Sequence, residues 1–157
     1  MAETMRRLDR QMSQAETEDL LRACHYGVLS MNNTDGCPYG VPLSYIYTDG
    51  RIYLHCAPEG KKLAHIRHDD KVSFCVVGEA EPLPDKFSMR YTSAIVFGTV
   101  SEVDEHREKE KALVALIDKY GTTDEYREKG RVYAAESLRT TVVLRLDIDH
   151  LTGKAGK

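Results

Sequence analysis

Two adjacent lysines, Lys61 and Lys62, follow Gly60 at the point where the sequence pattern changes from strand to helix. The backbone N–H groups and the positive dipole end of a helix N-terminus bind anions, and two ammonium groups beside them strengthen such a site. Lysine at this end opposes the usual preference for acidic residues, a cost that a bound anion offsets. The pattern predicts a phosphate site at Lys61 and Lys62; the alternative is a solvated helix start.

His55 and Cys56 end the strand that leads to this glycine. Because side chains alternate along a strand, His55 faces away from both Leu54 and Cys56. If Lys61 and Lys62 hold a phosphate, His55 lies along the ligand. The alternative is a structural histidine, which is the more frequent role of a lone histidine in a strand.

The preceding strand contains the run Val41, Pro42, Leu43 and Ser44. Proline lacks an amide donor, so Pro42 favours an edge strand or a bulge. Backbone groups of this run can then hydrogen-bond a flat ligand, and Ser44 adds a hydroxyl. The alternative is an edge strand with no ligand.

Polar residues also occur near the starts and ends of the later strands. Arg90, Thr92 and Ser93 precede an apolar strand, and Lys154 follows the last strand. Arg90, Thr92 and Ser93 can complete an anion site from a partner subunit, or they are an ordinary strand end. Lys154 is either a mobile tail residue or part of a tail that packs over a pocket.

The elements that position these residues are read from hydrophobic periodicity and turn signals. Six strands are predicted over residues 26–31, 39–47, 51–56, 71–77, 93–103 and 140–147, with a loop over 81–85. Asp49-Gly50 predicts a tight hairpin between the second and third strands. Helices are predicted after the capping box of Ser13 and Glu16, around Leu63, over 105–120 before Gly121, and over 124–138. Short connections favour antiparallel pairing, so a mostly-β single domain with peripheral helices is expected over 1–157.

Bulk properties exclude several classes of function. The chain has 157 residues, a net charge of −3 and a pI near 6.1, which argues against general nucleic-acid binding. No apolar run approaches the roughly 20 residues of a membrane span, and residues 1–14 contain no signal-peptide core. The cysteines form no CxxC pair and the histidines have no metal-ligand spacing, so no metal site is expected. A cytoplasmic protein with reduced thiols is predicted.

Six segments in order resemble the pyridoxamine-phosphate-oxidase-like flavin-binding split barrels, and most closely their nitroimidazole-resistance subfamily. The segments are Tyr26–Ser30, Pro38–Tyr45, Ile52–Ala57 with Gly60 and Lys62, Lys71–Val77, Tyr91–Gly98, and His150–Lys154. The resemblance implies a six-stranded antiparallel split β-barrel and a homodimer with FMN at the subunit interface.

The resemblance also implies roles for individual residues. The run Val41–Ser44 lies along the isoalloxazine ring, and His55 and Cys56 lie beside it. Lys61 and Lys62 hold the phosphate. Residues Arg90–Ser93 contribute from across the dimer. The resemblance places His55 near a bound small aromatic substrate and makes it the candidate catalytic residue. With an ordinary pKa of about 6.5, a histidine there can donate a proton to the substrate or stack against it near neutral pH.

The chain departs from the true oxidases of this group. They carry a basic residue where this chain has Gly40, and their tryptophan near the flavin has no counterpart here because the chain contains no Trp. The first hypothesis is therefore an FMN-dependent reductase of small aromatic acceptors such as nitroimidazoles. The alternatives are a flavin sensor or carrier without turnover, a haem-binding split barrel, and a dimeric module with a vestigial pocket.

Overall fold

An antiparallel sheet of seven strands, with four α-helices around it, makes up the residues that the computed structural model describes, 5–156. The strands are β1 Tyr26–Asn32, β2 Pro38–Ser44, β3 Ile46–Thr48, β4 Arg51–Cys56, β5 Lys71–Leu83, β6 Ser88–Glu102 and β7 Val142–Gly156. The helices are α1 Gln14–Ala23, α2 Lys61–His68, α3 His106–Tyr120 and α4 Asp124–Ser137. The strand order is β2-β1-β5-β6-β7-β4-β3, so the mostly-β antiparallel architecture is confirmed.

Tyr45 separates the two strands at opposite ends of this order, β2 and β3. The prediction of one strand over 39–47 is wrong for that reason, and the sheet has seven strands instead of six. Tyr45 is fully buried, its hydroxyl donates to the Leu21 carbonyl at 2.6 Å, and its ring packs edge-on against Phe74. Since the two ends of the sheet are joined through one buried residue, the sheet curls around it into an open barrel.

Two apolar clusters hold the structure together. The larger fills the barrel with inward-facing residues such as Leu29, Leu54, Phe74 and Leu144, all of which are fully buried. The smaller cluster lies between the sheet and α3 and α4, and includes Val143. Burial on alternate positions of β1, β5 and β6 produces the barrel interior and leaves the other face of these strands outward.

Several local structures predicted from the sequence are confirmed. Asp49 and Gly50 both have positive φ, 52° and 72°, as a two-residue hairpin with a type I′ turn requires. Ser13 and Glu16 form the expected capping box at α1, and α3 ends at Gly121. The edge position predicted from Pro42 is also confirmed, because β2 pairs only with β1 in the described residues.

The last three strands are longer than predicted. β5 continues through Pro82 to Leu83 and is followed by a 3-10 turn over Pro84–Lys86, so the prediction of a loop over 81–85 is wrong. Arg90, Thr92 and Ser93 consequently lie inside β6 and do not precede it. Long cross-strand pairing keeps these residues extended although their own sequence is polar.

β7 continues to Gly156, so the prediction of a mobile tail around Lys154 is wrong. Lys154 pairs with Ser93 of β6, and an isolated bridge joins it to Gln11 on its other side. The first half of β7 pairs with both β4 and β6. The final strand of the chain therefore lies inside the sheet.

Glu108 of α3 connects the helix to two strands. Its carboxylate accepts a hydrogen bond from the Tyr53 hydroxyl at 2.8 Å and pairs with Arg145 at 3.1 Å. The Tyr53 hydrogen bond, followed by Arg145, lowers the pKa of Glu108 below its ordinary value of 4.5. A lowered folded-state pKa gives stability that is present above the unfolded-state value and is lost as the pH falls.

We expect Glu108→Gln to lower the free energy of unfolding at neutral pH by about 1–2 kcal/mol, because the charged partner of Arg145 is lost. The difference from wild type should shrink as the pH falls below 4.5, where the wild-type carboxylate also becomes protonated. Urea titrations at a series of pH values measure this, with Glu110→Gln on α3 as the control. A difference that stays constant with pH would contradict the assignment.

None of the helices in residues 5–156 is both long and apolar enough to cross a membrane.

Candidate functional site

The junction between β4 and α2 is the centre of the candidate site. Gly60 precedes the helix with φ 131°, a backbone conformation that residues other than glycine rarely adopt. Open space surrounds its α-carbon. No side chain caps this helix N-terminus, and its first turn contains no acidic residue. Lys61 is exposed there and Lys62 is half-buried. Uncapped N–H groups beside two ammonium groups are the chemistry that an anion site requires, and phosphate binding at Lys61 and Lys62 stays a prediction.

His55 and Cys56 lie at the end of β4 and face opposite sides, as predicted. The His55 side chain is exposed, and Cys56 packs half-buried against the barrel interior. Burial lowers the pKa of His55, and the positive charge of Lys62 lowers it further. The imidazole is therefore neutral at pH 7, where one ring nitrogen donates a hydrogen bond and the other accepts one.

The Cys56 thiol is electrostatically coupled to the same lysine. Burial raises the pKa of Cys56, and the Lys62 charge partly opposes that rise. A thiol with a raised pKa stays protonated at neutral pH, so Cys56 lines the site as a small apolar group and not as a nucleophile. The structure thus brings His55, Cys56 and Lys62 together.

The edge strand β2 presents two different faces. Val41 and Leu43 pack against the barrel core, and Pro42 and Ser44 point outward. Because β2 has β1 on one side only, backbone groups along its other side point away from the described ladder. Hydrogen bonding of this edge to a flat ligand stays a prediction.

The residues of β6 and β7 form a second, separate group. Ser93 and Lys154 pair with each other, while Thr92 packs its side chain against Gly78 on the other face of the sheet. Arg90 forms an ion pair with Glu81 at 2.7 Å, and both side chains are exposed. The predicted set of four is therefore brought only partly together.

The two groups of residues lie near opposite ends of β7, so the length of this strand indicates the distance between them. Its Val143 pairs with His55, and its Lys154 pairs with Ser93. The residues between these two positions correspond to about 36 Å along the strand, at about 3.3 Å per residue. Within one chain, the lysine pair of α2 and the polar residues of β6 belong to opposite ends of the sheet.

Tyr91 and Arg10 belong to the second group but were not singled out from the sequence. Hydrogen bonds from Lys154 and Arg10 lower the pKa of Tyr91, and the Lys154 ammonium lies 5.8 Å from the centre of the Tyr91 ring. The predicted strand began at residue 93. If it had been predicted to begin at Ser88, the alternation of side chains would have placed Tyr91 on the same face as Ser93. Arg10 ends a 3-10 turn before α1 and carries no periodic signal.

The outward face of the sheet carries exposed apolar side chains. They include Val28 on β1, Val77 on β5, and Ile95 and Phe97 on β6. The Phe97 ring stacks on the ring of His150 with 6.5 Å between centroids. An apolar patch of this kind on a sheet is typical of a protein–protein or ligand interface.

Between residues 5 and 156, no group of three or more His, Cys, Asp or Glu side chains is arranged to hold a metal ion. All four cysteines are free thiols.

The sequence profile of the family described as pyridoxamine 5'-phosphate oxidase matches residues 13–155. The chain belongs to this family. The match covers all seven strands except the last residue of β7, Gly156. It also includes the whole β4–α2 junction. Membership of the pyridoxamine 5'-phosphate oxidase family confirms the resemblance drawn from the six sequence segments.

Solved structures confirm the split-barrel fold. A candidate 5-nitroimidazole antibiotic resistance protein from Bacteroides thetaiotaomicron has 22% identity and a TM-score of 0.78, covering 92% of this chain and 86% of its own. An FAD-binding protein from Mesorhizobium loti has 24% identity and a TM-score of 0.69, covering 94% and 98%. An FAD and haem binding protein from Mycobacterium smegmatis has 21% identity and a TM-score of 0.74, covering 94% and 74%. A search of curated proteins found no match.

Proposed function

We propose that this protein is an FMN-binding oxidoreductase that reduces small aromatic acceptors, with nitroimidazoles as the model substrate. The observation that carries the proposal is the β4–α2 junction, where an uncapped helix N-terminus, Lys61 and Lys62 adjoin His55. The names of the structural neighbours support a flavin, since two of them are described as FAD-binding. We also propose a cytoplasmic location, which suits four free thiols.

The residues at the junction fit a flavin phosphate. Lys61 and Lys62 would neutralise the phosphate, and the open approach at Gly60 lets the oxygens reach the first N–H groups of α2. The edge backbone of Val41–Ser44 would hydrogen-bond the ring system. When bound, the flavin supplies the electron-transfer chemistry, while the protein supplies position, electrostatics and exclusion of water.

A homodimer completes the proposed site. Arg90, Thr92, Ser93 and Lys154 are too far along the sheet from the lysine pair to join it within one chain. The exposed apolar face around Phe97 offers a second copy a surface to pack on. In the proposed dimer, two-fold symmetry would bring the β6 residues of one chain to the α2 junction of the other. Two equivalent sites per dimer follow.

His55 would act on the substrate and not on the cofactor phosphate. Its imidazole is neutral, exposed and next to Cys56, so it can donate a hydrogen bond to a nitro group or stack on the substrate ring. Oxidation of pyridoxamine phosphate is not proposed. Gly40 is exposed and offers no basic side chain, and the chain contains no Trp.

An absorption spectrum of the purified protein, before and after addition of FMN, tests the proposal. We expect flavin bands with about one FMN per chain, and faster reoxidation of the reduced flavin when a 5-nitroimidazole is added. Flavin binding without faster reoxidation would indicate a sensor or carrier. A Soret band would indicate a haem-binding split barrel. Failure to bind FMN would indicate a dimeric module with a vestigial pocket.

His55→Ala should lower kcat/KM for a 5-nitroimidazole about 10²-fold while the Kd for FMN stays within about twofold, because a positioned hydrogen-bond donor to developing charge typically contributes about 10²–10³ in rate. Steady-state kinetics and FMN titration of the same variant measure both. His68→Ala, at the exposed end of α2, is the matched control. Normal turnover by the His55→Ala variant would show that His55 does not act on the substrate.

A further inference from the structure

The bend at Tyr45 takes one residue out of the sheet ladder, so its backbone groups need other partners. Buried N–H and C=O groups in proteins are almost always hydrogen-bonded. Here the last two residues of α3 supply the partners. The Tyr45 N–H donates to the Tyr120 hydroxyl at 3.1 Å, and the Lys119 ammonium donates to the Tyr45 carbonyl at 3.0 Å.

The same two side chains reach the link between α1 and β1. Lys119 donates to the Cys24 carbonyl at 2.6 Å, and the Tyr120 hydroxyl hydrogen-bonds the His25 carbonyl. This link leads directly into β1, the ladder partner of β2. Lys119 and Tyr120 therefore fix the bend and the adjacent end of β1 at the same time.

The Lys119 ammonium also rests on an aromatic ring. Its nitrogen is 4.0 Å from the centre of the Tyr45 ring and 5.5 Å from that of Tyr120. Its partners are thus two carbonyl groups and two ring faces, all of them neutral. A cation on the face of a ring is attracted by the negative potential of the π-system, so the contact further restrains Tyr45.

We propose that Lys119 and Tyr120 are positioning residues for the bound cofactor. By holding Tyr45 they set the direction and exposure of the preceding run Val41–Ser44, whose backbone lies along the ligand in the proposed function. The cofactor part of this inference rests on that proposed function. The restraint on β2 is independent of it and can be measured on the chain without flavin.

The restraint also depends on the protonation state of Lys119. Burial lowers the pKa of Lys119 to about 8, and the Cys24 thiol opposes the shift. The titratable groups facing this ammonium are the Cys24 thiol, the Tyr45 and Tyr120 phenols, and the His25 ring, 6.0 Å from that of Tyr120. Burial raises the pKa of the thiol and of both phenols. The thiol and the phenols therefore stay neutral near pH 8, where Lys119 loses its charge.

Hydrogen exchange of the flavin-free chain tests the restraint. In Tyr120→Phe and in Lys119→Met, amides in a peptide spanning residues 38–47 should exchange about tenfold faster than in wild type. Tyr126→Phe and Lys129→Met on the exposed side of α4 are the matched controls and should stay within about twofold. Wild-type exchange rates in both test variants would overturn the inference.

Flavin spectroscopy separates positioning from a merely structural role. With FMN bound, Tyr120→Phe should alter the visible circular dichroism of the flavin and raise its Kd about tenfold. Faster exchange with an unchanged flavin spectrum and Kd would overturn the positioning role. If wild type binds no FMN, the proposed function fails, and the exchange experiment alone decides whether the pair restrains β2.

A pH series on wild type decides the question if the variants do not fold. After correction for the intrinsic chemical rate, exchange in residues 38–47 should accelerate as the pH rises through about 8. A peptide from the middle of β5 serves as the internal control. A flat profile in residues 38–47 would overturn the part assigned to Lys119.

Discussion

Replacing both lysines at the start of α2, Lys61→Ala with Lys62→Ala, should weaken FMN binding by roughly 10²–10⁴-fold. Each charge-assisted contact to a phosphate is worth about 1.5–3 kcal/mol, and every 1.4 kcal/mol is about tenfold in affinity. Titration of wild type and the double variant with FMN, followed by flavin fluorescence, measures the loss. Riboflavin, which lacks the phosphate, should bind both proteins equally.

Two controls keep this result specific to the junction. Lys109→Ala with Lys111→Ala removes the same charge from α3 and should change the Kd for FMN by less than about twofold. Lys61→Arg with Lys62→Arg keeps the charge and should retain most of the affinity. A double alanine variant that binds FMN within twofold of wild type would mean that the phosphate lies elsewhere.

Phe97→Asp on the outward face of β6 should dissociate the proposed homodimer and weaken FMN binding with it. A central aromatic contact removed from an interface costs about 2–4 kcal/mol, or roughly 30- to 1,000-fold in the dimer dissociation constant, and two-fold symmetry places the change on both subunits. Analytical ultracentrifugation with FMN titration measures both effects. Because Phe97 is 49% exposed in the single chain, the fold should survive, which far-UV circular dichroism checks.

Tyr133→Asp is the matched control for this experiment. Tyr133 is 70% exposed and belongs to α4 and not to the sheet, so its replacement should leave the proposed dimer and FMN binding unchanged. A Phe97→Asp protein that stays dimeric would place the interface elsewhere. A monomer that binds FMN as tightly as wild type would show that one chain contains the whole site.

The parts of the site that sequence reasoning placed correctly depend on local chemistry. Gly60 with two following lysines marks a strand-to-helix junction through backbone freedom and charge, and Asp49-Gly50 marks a hairpin because both residues accept positive φ. Alternation along a short strand placed His55 and Cys56 on opposite faces. Each of these signals lies within a few residues of the feature it predicts.

The parts that were missed depend on contacts distant in the sequence. Tyr45 looks like one more residue of a continuous aromatic strand, and only its burial against Leu21 and Phe74 and its bonds to α3 show that the strand breaks there. Lys154 is polar and near the end of a strand-like run, and its pairing with Ser93 decides its conformation. No window of sequence contains both partners of such a contact.

The position of β7 between β4 and β6 determines the order in which the sheet can form. β7 follows the other six strands in the sequence, yet in the ladder formed by residues 5–156 it is the strand that connects β4 and β3 to β6. During synthesis, at about 5–20 residues per second, β4 has no second partner until β7 emerges, and its polar edge stays open for several seconds. Pairings between such distant segments close large loops and fold slowly. The junction carrying Lys61 and Lys62 is thus synthesised early but acquires its supporting sheet only at the end.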